Sequence, residues 1–394
     1  MRSVRICILS ERPFPDPGTD TEQLVRTASA LLHEGAEIEL VIPADPAHWL
    51  EGRRARAQRI ARYYGVPDDL PVRGLPALPR PGGLAEMTRG ELLFGSAQAA
   101  SFLAAALAWI GWSRPDVVHV RTPASLGTAI LTRRPAVYDT YRVDVPVALR
   151  PLVRRAAFVV AHSALAASSI VGVGVPAERV RVVRNGWEPA SMEPRLERGE
   201  ARALLGLGSS RLVALYAGHC RPDKGADELI EVAALRPEID FVLVGAAPDD
   251  LARLAWRSAG LPNVKVWPRV PPGEVPVWLY AADVLLIPTP RARPGDPAPR
   301  TVLPIKTYQY MVAGRAILAP RTADIEEVLE DGHTACLFSP LDAGDAARRL
   351  GELGSSPELR ARIARAALEE SQAHTFRERA RRLIEIYRAS AVAH

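Results

Sequence analysis

The stretch Leu303-Pro-Ile-Lys-Thr-Tyr-Gln-Tyr-Met-Val-Ala-Gly314-Arg-Ala-Ile-Leu-Ala-Pro320 predicts a loop that becomes a helix and then leads into a short apolar strand. Pro304 suits a first helical turn, where its missing N–H costs nothing, and Gly314 stands where the helix would end. Residues 316–319 are apolar and supply the strand. This pattern is typical of an ordinary amphipathic helix packed on a sheet, and it is also compatible with a phosphate-binding helix start.

A diphosphate site is the functional interpretation of the same helix. The backbone N–H groups of Ile305, Lys306 and Thr307 would have no acceptor within the helix, and they would lie at the positive end of its dipole. Lys306 adds a cation there. Gln309, one turn further on, is placed to reach a neighbouring hydroxyl group.

A second stretch, Leu215-Tyr-Ala-Gly-His-Cys-Arg-Pro-Asp-Lys-Gly225, predicts a strand that ends in a glycine turn and is followed by cations before a helix. Gly218 would let the backbone approach a ligand closely. His219, Arg221 and Lys224 would place positive charge on two phosphates, the arginine as a bidentate fork and the lysine as a point charge. Together with the helix start described above, this turn would hold both ends of a pyrophosphate.

Composition favours a soluble protein of two domains rather than a nucleic-acid-binding protein. The chain has 394 residues, of which 48% are hydrophobic, and a formal net charge of +5. Only three of its 50 basic residues are lysine, and the arginines are scattered among acidic residues rather than grouped with aromatic residues in a stripe. Two of the three lysines, Lys224 and Lys306, fall in the two predicted phosphate-binding stretches; Lys265 is the third.

Cysteine usage and hydropathy predict a cytoplasmic location. Cys7, Cys220 and Cys336 have neither the spacing of a disulfide framework nor that of a metal site, which fits a reducing compartment. No hydrophobic signal peptide precedes the first predicted strand, Val4–Leu9. Polar residues interrupt the apolar segment Leu92–Trp112, so we expect a buried helix there rather than a membrane span.

The order of the elements predicts an α/β protein with two doubly wound parallel sheets. Strand Val4–Leu9, helix Thr21–His33 and strand Glu37–Ile42 open the first sheet. The loop after the first strand lacks the Gly-x-Gly-x-x-Gly spacing of a dinucleotide site, which argues against a dehydrogenase. Four further strands follow, at Val117–Val120, Ala136–Tyr138, Phe158–Ala161 and Val180–Val183.

Four segments follow from this order: an N-terminal domain at 1–187, a linker at 188–199, a C-terminal domain at 200–374 and a C-terminal helix at 375–394 that packs back toward the first domain. We expect the two Rossmann-like domains to face each other across a cleft, where ligands of such sheets bind. In the first domain, residues 48–90 contain a run of arginines that is compatible with a helix on anionic lipid or an anionic acceptor, and also with a solvated helix face. These arginines are Arg53, Arg54, Arg56, Arg59 and Arg62.

Six segments carry a family resemblance: Pro115-Asp-Val-Val-His, Val182-Val-Arg-Asn-Gly186, Tyr216-Ala-Gly-His-x-x-Pro-x-Lys-Gly225, Val270-Pro-x-x-Glu-Val-Pro, Ala282-Asp-Val-Leu-Leu-Ile-Pro288 and Leu303-Pro-Ile-Lys-x-Tyr-x-Tyr-Met-x-Ala-Gly-Arg-x-Ile. In this order and spacing they resemble the family 4 retaining glycosyltransferases, which have the two-Rossmann GT-B fold. The resemblance covers nearly the whole chain. It implies transfer of a sugar from a nucleotide sugar with retention at the anomeric carbon, and it implies no required metal or other cofactor.

The resemblance also implies roles for individual residues of the C-terminal domain. Lys224 would neutralise the diphosphate as the leaving group departs, and the amides of Ile305 and Lys306 would act in the same sense. The backbone near Arg269 and Val270 would frame the base, although Arg269 is equally compatible with the exposed end of a surface strand. In the N-terminal domain, which would bind the acceptor, Gly18 and Thr19 would face phosphate or acceptor.

Three departures from the family pattern bear on function. The family commonly has arginine at the position of His219, where Arg221 is close enough to substitute. It usually has glutamates at the positions of Thr301 and Gln309; the first meets the donor sugar or phosphate region and the second binds ribose hydroxyls. A histidine that touches the donor sugar in the family is replaced in this chain near Arg142, which would meet an anionic sugar or acceptor, or pair with Asp139 or Asp144.

We expect, from these observations, a retaining glycosyltransferase that moves a sugar from a UDP-sugar, or failing that a GDP-sugar, to a small-molecule acceptor such as a natural product. The alternatives are a non-catalytic nucleotide-sugar-binding subunit of the same fold and, more weakly, a sugar-nucleotide epimerase. His119 and His162 follow strands or end them, and are further candidates for acceptor or sugar contacts. We expect no nucleic-acid partner and no transmembrane segment, with peripheral membrane contact as an open alternative.

Overall fold

The computed structural model describes residues 4–16, 18–44, 46–79, 89–142, 144–208, 210–291 and 305–392. The chain divides into two compact units. The first unit contains residues 1–185 and 376–394, and the second contains residues 186–375. Thr301 and the first two residues of the stretch 303–320 lie outside the described residues.

The first unit is built on a seven-stranded parallel sheet in which β1 is central. The strand order is β3-β2-β1-β4-β5-β6-β7, so the chain runs to one edge, returns to the centre and then fills the other edge. Its strands in the described part of the chain are β1 (Arg5–Leu9), β2 (Glu37–Ala44), β3 (Val72–Pro76), β4 (Val117–Val120), β5 (Ala136–Thr140), β6 (Phe158–Ala161) and β7 (Val180–Val182).

Helices cover both faces of this sheet, and a separate apolar core lies on each face. The core of one face includes Val25, Leu31 and Leu383, and that of the other includes Phe102 and Leu126. The helices of the described part are α1 (Thr19–His33), α2 (Arg53–Tyr64), α3 (Arg89–Ser113), α4 (Pro123–Leu131), α5 (Arg150–Val153) and α6 (Ala164–Gly172), with the last helix of the chain, α14 (Phe376–Val392).

The second unit repeats the arrangement with six parallel strands in the order β10-β9-β8-β11-β12-β13. Its strands in the described part are β8 (Val213–Ala217), β9 (Asp240–Ala246), β10 (Val264–Pro268), β11 (Val284–Leu286), β12 (Ala316–Pro320) and β13 (Cys336–Phe338). Its helices there are α7 (Arg198–Leu205), α8 (Ala226–Leu235), α9 (Pro248–Arg257), α10 (Val275–Ala281), α11 (Lys306–Val312), α12 (Ala343–Ser355) and α13 (Pro357–Ser371).

The α/β class and the two doubly wound parallel sheets predicted from the sequence are confirmed. The strands predicted at 117–120 and 158–161 have the observed bounds, and the other predicted strands and helices differ at their ends by one to three residues. Two strands were not predicted. β3 contains an arginine and a glycine, and β13 has three residues, so neither shows the apolar alternation that identifies a strand.

The segment 188–199, predicted as a linker, lies within the second unit. The Tyr280 hydroxyl donates a hydrogen bond to the Met192 carbonyl oxygen at 2.6 Å, and Met192 is buried. Just beyond the segment, Arg202 Nε donates to the Ala281 carbonyl oxygen at 2.9 Å. These long-range contacts hold the segment against α10 of the second unit, although its composition is typical of a flexible linker.

The C-terminal helix α14 belongs to the first unit, where it packs on α1. Arg379 is buried in this unit and donates to the Val183 carbonyl oxygen at 2.7 Å. The apolar segment predicted as a buried helix is α3; Phe102 and Ile110 are buried, whereas Trp112 is 78% exposed. Among the described residues, no helix combines the length and apolar character that crossing a membrane requires.

Three of the five arginines of α2 form ion pairs within the first unit. Arg56 is buried and lies 3.3 Å from Glu51, and Arg59 Nε lies 2.9 Å from the same carboxylate. Arg59 also donates to the Phe14 carbonyl oxygen at 2.6 Å. Arg56 and Arg59 are therefore engaged in the fold, whereas Arg53, Arg54 and Arg62 are exposed, as on a solvated helix face.

Candidate functional site

The turn that follows β8 is the centre of the candidate site. Gly218 leaves the strand with its N–H bonded to the Val244 carbonyl oxygen at 2.8 Å. A Cβ at position 218 would lie 2.2 Å from Lys306 Nζ, and one at Gly245 would lie 2.3 Å from the Gly218 carbonyl oxygen. Two glycines thus allow the turn to contact both the next strand and a lysine from another helix.

The rest of this turn is held by hydrogen bonds to its backbone. The Tyr216 hydroxyl donates to the His219 carbonyl oxygen at 2.8 Å, and Arg253 of α9 donates to the Cys220 carbonyl oxygen. The Arg291 N–H donates to the Asp223 carbonyl oxygen at 3.0 Å. Gly225 ends the turn at φ 79°, a conformation that favours glycine. The turn 218–225 is therefore fixed before any ligand binds.

Arg221 is already paired in this turn. Its guanidinium donates two hydrogen bonds of 2.9 Å to the Asp223 carboxylate, which itself lies 3.7 Å from Lys224 Nζ. The side chain of Arg221 is about half exposed. The sequence predicted a free bidentate fork for phosphate; in the structure the fork is engaged by the acid two residues away, and a phosphate would have to displace that acid or bind the remaining N–H groups.

His219 is surrounded by cations. Burial of the imidazole and the charges of Arg269, Arg221, Lys306 and Lys224 lower the pKa of His219 to about 4. The side chain nevertheless reaches the surface, so it is available as a neutral hydrogen-bonding group near pH 7 rather than as a further cation. Arg221, Lys224, Arg269 and Lys306, which the sequence predicted for the site, therefore all lie near His219.

Lys306 enters the site from the first residue of α11. Its Nζ lies 3.8 Å from the centroid of the Tyr216 ring, in a cation–π contact. Burial, with a smaller contribution from Lys224, lowers the pKa of Lys306 to about 7. Lys306 therefore gains and loses its proton near neutral pH, where an ordinary exposed lysine stays protonated.

α11 has seven residues, and Ile305 before it already has helical dihedral angles of φ −58° and ψ −33°. The Tyr308 N–H donates to the Ile305 carbonyl oxygen at 3.2 Å, so the first turn begins at that residue. Gln309 is half-buried on this helix. The predicted roles of the Ile305 and Lys306 amides and of Gln309 stay predictions, and Thr301 lies outside the described part of the chain.

Arg269 and Val270 directly follow β10, two strands from β8, at the same carboxyl edge of the sheet. Arg269 is exposed, and its N–H donates to the Ala246 carbonyl oxygen at 3.2 Å. Val270 packs partly against the apolar core. The charge of Arg269 reaches the turn, since it contributes to the low pKa of His219.

In the first unit, Gly18 forms the N-cap of α1 and Thr19 is its exposed first residue. The Gly18 N–H donates to Asp16 Oδ1 at 2.7 Å, and a Cβ at this glycine would lie 2.6 Å from the same oxygen. Asp16 is buried, and its backbone N–H donates to the Tyr64 hydroxyl at 2.8 Å. The Gly18 N–H is thus engaged by the fold, and the exposed group next to it is Thr19.

A buried polar cluster, formed by Asp139, His119, His162, Arg379 and Tyr387, lies at the ends of β4, β5 and β6. Asp139 accepts from His162 Nε2 at 2.6 Å and from Arg379 Nη2 at 2.7 Å, and His119 Nε2 lies 3.4 Å away. Tyr387 Oη lies 2.9 Å from His119 Nδ1.

The charges of this cluster are set by burial and by mutual contact. Burial acts to raise the pKa of Asp139, but Arg379 and the two histidines hold the pKa well below its ordinary value. Burial lowers the pKa of both histidines. His119 is 1% exposed and His162 is 6% exposed. Both side chains are therefore engaged in the core, and their predicted contact with acceptor or sugar stays a prediction.

Arg142 lies just beyond β5 and is exposed. Its backbone N–H donates to Thr140 Oγ1 at 3.2 Å. Asp139, one of the predicted alternative partners of Arg142, is bound by Arg379 instead. The guanidinium of Arg142 is thus presented at the surface of the first unit.

Two family models match the chain, one in each half. Residues 21–186 match the glycosyl transferase 4-like domain, and residues 221–385 match a domain described as glycosyl transferase-like. Together the two matches span most of the chain, and the second one includes residues 221–225 of the turn and α11. The chain is a family 4 type glycosyltransferase. The family resemblance found in the sequence is thereby confirmed.

Relatives and solved structures agree with this assignment. The glycosyltransferase is 25% identical to the D-inositol 3-phosphate glycosyltransferase of Streptomyces scabiei, an alignment that covers 100% of this chain and 92% of the relative. It is similarly 25% identical to the protein of that name from Streptomyces avermitilis, over 100% and 89% of the two chains.

Solved glycosyltransferases share the GT-B fold of this chain. Sucrose-phosphate synthase of Thermosynechococcus elongatus has a TM-score of 0.77 at 16% identity, over 99% of this chain and 100% of the other. Anabaena HepE, solved in complex with UDP-glucose, has a TM-score of 0.70 at 19% identity, over 97% and 98% of the two chains.

Sequence reasoning missed three residues that shape the sites of this glycosyltransferase. Tyr216 reads as an ordinary core residue of a strand, and nothing in the sequence shows that its ring lies under Lys306. Asp223 stands two residues from Arg221, a spacing that offered a signal for their pairing. Asp139 pairs with Arg379, which is 240 positions away, so no local signal indicates this contact.

Proposed function

We propose that this glycosyltransferase transfers a sugar from a nucleoside-diphosphate sugar with retention at the anomeric carbon. The observation that carries the proposal is the group of basic side chains around the turn 218–225. Arg221, Lys224, Arg269 and Lys306, all within the second unit, lie close enough to His219 to lower its pKa. A cluster of cations at the carboxyl edge of a parallel sheet, beside a glycine turn, matches the charge of a diphosphate.

In this proposal the cations stabilise the leaving group. As the bond between the anomeric carbon and the diphosphate oxygen breaks, negative charge grows on the diphosphate, and Lys224 and Lys306 neutralise it. The acceptor hydroxyl forms the new bond from the same face of the sugar, and its proton passes to the departing phosphate oxygen. Because the turn is held by backbone hydrogen bonds, its groups need little reorganisation when this charge develops.

We propose UDP as the nucleotide, with GDP as the alternative. The structural similarity to Anabaena HepE, whose solved complex contains UDP-glucose, supports UDP as the first choice. We also propose that transfer requires no metal ion, because the positive charge of the turn and of Lys306 takes the place of a cation bound to the diphosphate.

For the acceptor, we propose a small hydroxylated molecule. Relatives named D-inositol 3-phosphate glycosyltransferase support a compact polyol, and D-inositol 3-phosphate is the first compound to test. In the first unit, the exposed Arg142 offers positive charge to an anionic acceptor, as does the half-exposed Arg12 in the loop before α1, which lies 3.8 Å from Asp16. The alternative acceptor is a small natural product.

A calorimetric and kinetic experiment tests the proposal. UDP-glucose and GDP-mannose are titrated into the protein in the presence of EDTA, and nucleotide release is then measured with D-inositol 3-phosphate and with other small polyols. We expect saturable binding of one donor, release of its nucleotide only with an acceptor, and a product whose anomeric configuration, read by NMR, is that of the donor. Inversion at the anomeric carbon, or a need for added metal, would contradict the proposal.

A donor that binds without turnover across all acceptors would favour the alternative function, a non-catalytic nucleotide-sugar-binding subunit. The engaged fork of Arg221 and the neutral His219 are the observations that keep this alternative open, since both reduce the charge that reaches a phosphate.

A further inference from the structure

Tyr216 contacts both the turn and Lys306. The face of its ring lies 3.8 Å from Lys306 Nζ, and its hydroxyl donates to the His219 carbonyl oxygen at 2.8 Å. The side chain is 1% exposed, so packing in the core holds it in position. One buried residue thus connects the geometry of a cation to the geometry of the turn backbone.

The space that Lys306 occupies exists because residue 218 is glycine. A Cβ at Gly218 would lie 2.2 Å from Lys306 Nζ and 3.1 Å from the Tyr216 hydroxyl. The ammonium group therefore lies in the gap that the glycine leaves, between the ring on one side and the turn backbone on the other. An ammonium in this place is positioned by packing, whereas an exposed lysine would be free to move.

Opposing influences act on the protonation of Lys306. Burial and the neighbouring Lys224 disfavour the charged form, while the nearby Cys220 has the opposite effect. The aromatic face of Tyr216 favours an ammonium. The other charged or titratable groups around the turn 218–225 and Lys306 are His219, Arg221, Asp223, Arg269 from the end of β10, Arg253 and Asp250 from α9, and Tyr310 from α11.

We propose that Tyr216 is a positioning residue whose ring holds Lys306 as the cation that binds the donor diphosphate, and that donor binding keeps Lys306 protonated. This inference rests on the proposed function. When the diphosphate binds a molecule in which Lys306 is neutral, Nζ takes up a proton from solvent, and it can return that proton when the nucleotide leaves. Burial lowers the pKa of Lys306 to about 7, so the neutral form is populated in the free protein at neutral pH.

The small number of lysines makes a direct measurement possible. The chain contains only Lys224, Lys265 and Lys306, so lysine labelled with ¹³C at Cε gives three side-chain signals that single Lys→Arg variants assign. We expect the Lys306 Hε protons to be shifted upfield by the Tyr216 ring, and the Lys306 signal to titrate near pH 7. Lys265, which is exposed on β10, serves as the internal reference.

UDP-glucose is the probe for donor binding, because its diphosphate diester lacks the second phosphate ionisation near pH 6. Saturation with UDP-glucose should move the titration midpoint of Lys306 to higher pH and leave that of Lys265 unchanged. In Tyr216→Leu we expect loss of the upfield shift and a roughly 10-fold weaker UDP-glucose affinity, within the range of a cation–π contact. Tyr216→Phe should keep the upfield shift, since the ring remains.

The matched control is Tyr280→Leu, which removes another buried tyrosine of the same unit, one whose hydroxyl bonds to the Met192 carbonyl oxygen. It should leave the Lys306 signal and its titration as in the wild type. The inference is overturned if Lys306 shows no ring-dependent shift in the wild type, if the shift survives in a folded Tyr216→Leu protein, or if UDP-glucose binds without moving the Lys306 titration.

A failure of the proposed function gives a different result. If neither UDP-glucose nor GDP-mannose at millimolar concentration changes the Lys224 or Lys306 signals, the donor site is wrong and the coupling to protonation falls with it. The ring-dependent shift in the free protein then still decides whether Tyr216 positions Lys306.

Discussion

At the scale of single residues, Lys224 is the first group proposed to neutralise the negative charge of the leaving diphosphate. This lysine lies in the turn 218–225 with its Nζ 3.7 Å from Asp223. We predict that Lys224→Ala lowers kcat/KM by about 100-fold or more, because a charge that develops in the transition state loses its partner. Steady-state kinetics with the active donor checks this, and Lys265→Ala on β10 is the matched control that should retain wild-type kinetics. An unchanged rate for Lys224→Ala would remove it from the mechanism.

Gln309 supports a second residue-scale prediction. It is half-buried on α11, at the position where the family usually has a glutamate that binds ribose hydroxyls. We predict that Gln309→Glu tightens nucleotide binding by about 3- to 10-fold, since a hydrogen bond to a charged acceptor is worth more than one to an amide. Calorimetry with UDP measures the affinity, and 2′-deoxy-UDP should show no such gain. Equal affinities of the two proteins for UDP would place Gln309 away from the ribose.

At the scale of elements, the buried polar cluster around Asp139 joins β4, β5 and β6 to α14. We predict that Asp139→Asn lowers the free energy of unfolding by about 3–5 kcal/mol, because Arg379 would be left buried without its charged partner. Urea denaturation followed by circular dichroism measures the change. Asp144→Asn, a substitution of an exposed aspartate in the same segment, is the control and should fall within about 0.5 kcal/mol of the wild type. An equal effect of the two substitutions would contradict the structural role of the cluster.

The same cluster predicts how stability depends on pH. His119 and His162 have lowered pKa values in the folded protein, so below about pH 6.5 the unfolded chain binds more protons than the folded one. Stability should therefore fall as the pH drops from 7 to 5, and fall further near pH 4, where the carboxylate of Asp139 becomes protonated in the unfolded chain. Tm measured across this range checks the prediction. His162→Gln should flatten the part of the profile between pH 7 and 5; an unchanged slope would argue against it.

How far the sequence predicts the elements and the site depends on whether the signal is local. β8 and the turn after it were identified because apolar residues, glycine and cations are consecutive there. β3 was not, since Arg73 and Gly74 interrupt its apolar pattern. The position of Lys306 on Tyr216 depends on packing between residues 90 positions apart, and the bond of Asp139 to Arg379 on contacts 240 positions apart. Such contacts are determined by tertiary packing, which local patterns do not encode.

At the scale of the whole molecule, the two doubly wound units and the family matches in both halves make the chain a glycosyltransferase of the GT-B fold. The second unit contributes the cationic turn and Lys306. In the first unit, Arg142 and Thr19 are exposed, and the polar cluster is buried at the ends of its strands. A donor diphosphate bound by the second unit is the claim on which the proposed activity, its retention and its independence from metal all depend.

A crystal structure of the protein with UDP tests that claim most directly. We expect diphosphate oxygens at about 2.7–3.0 Å from Lys224 Nζ and from Lys306 Nζ, the distances of charge-assisted hydrogen bonds. A nucleotide bound elsewhere, or one whose diphosphate contacts neither lysine, would contradict it.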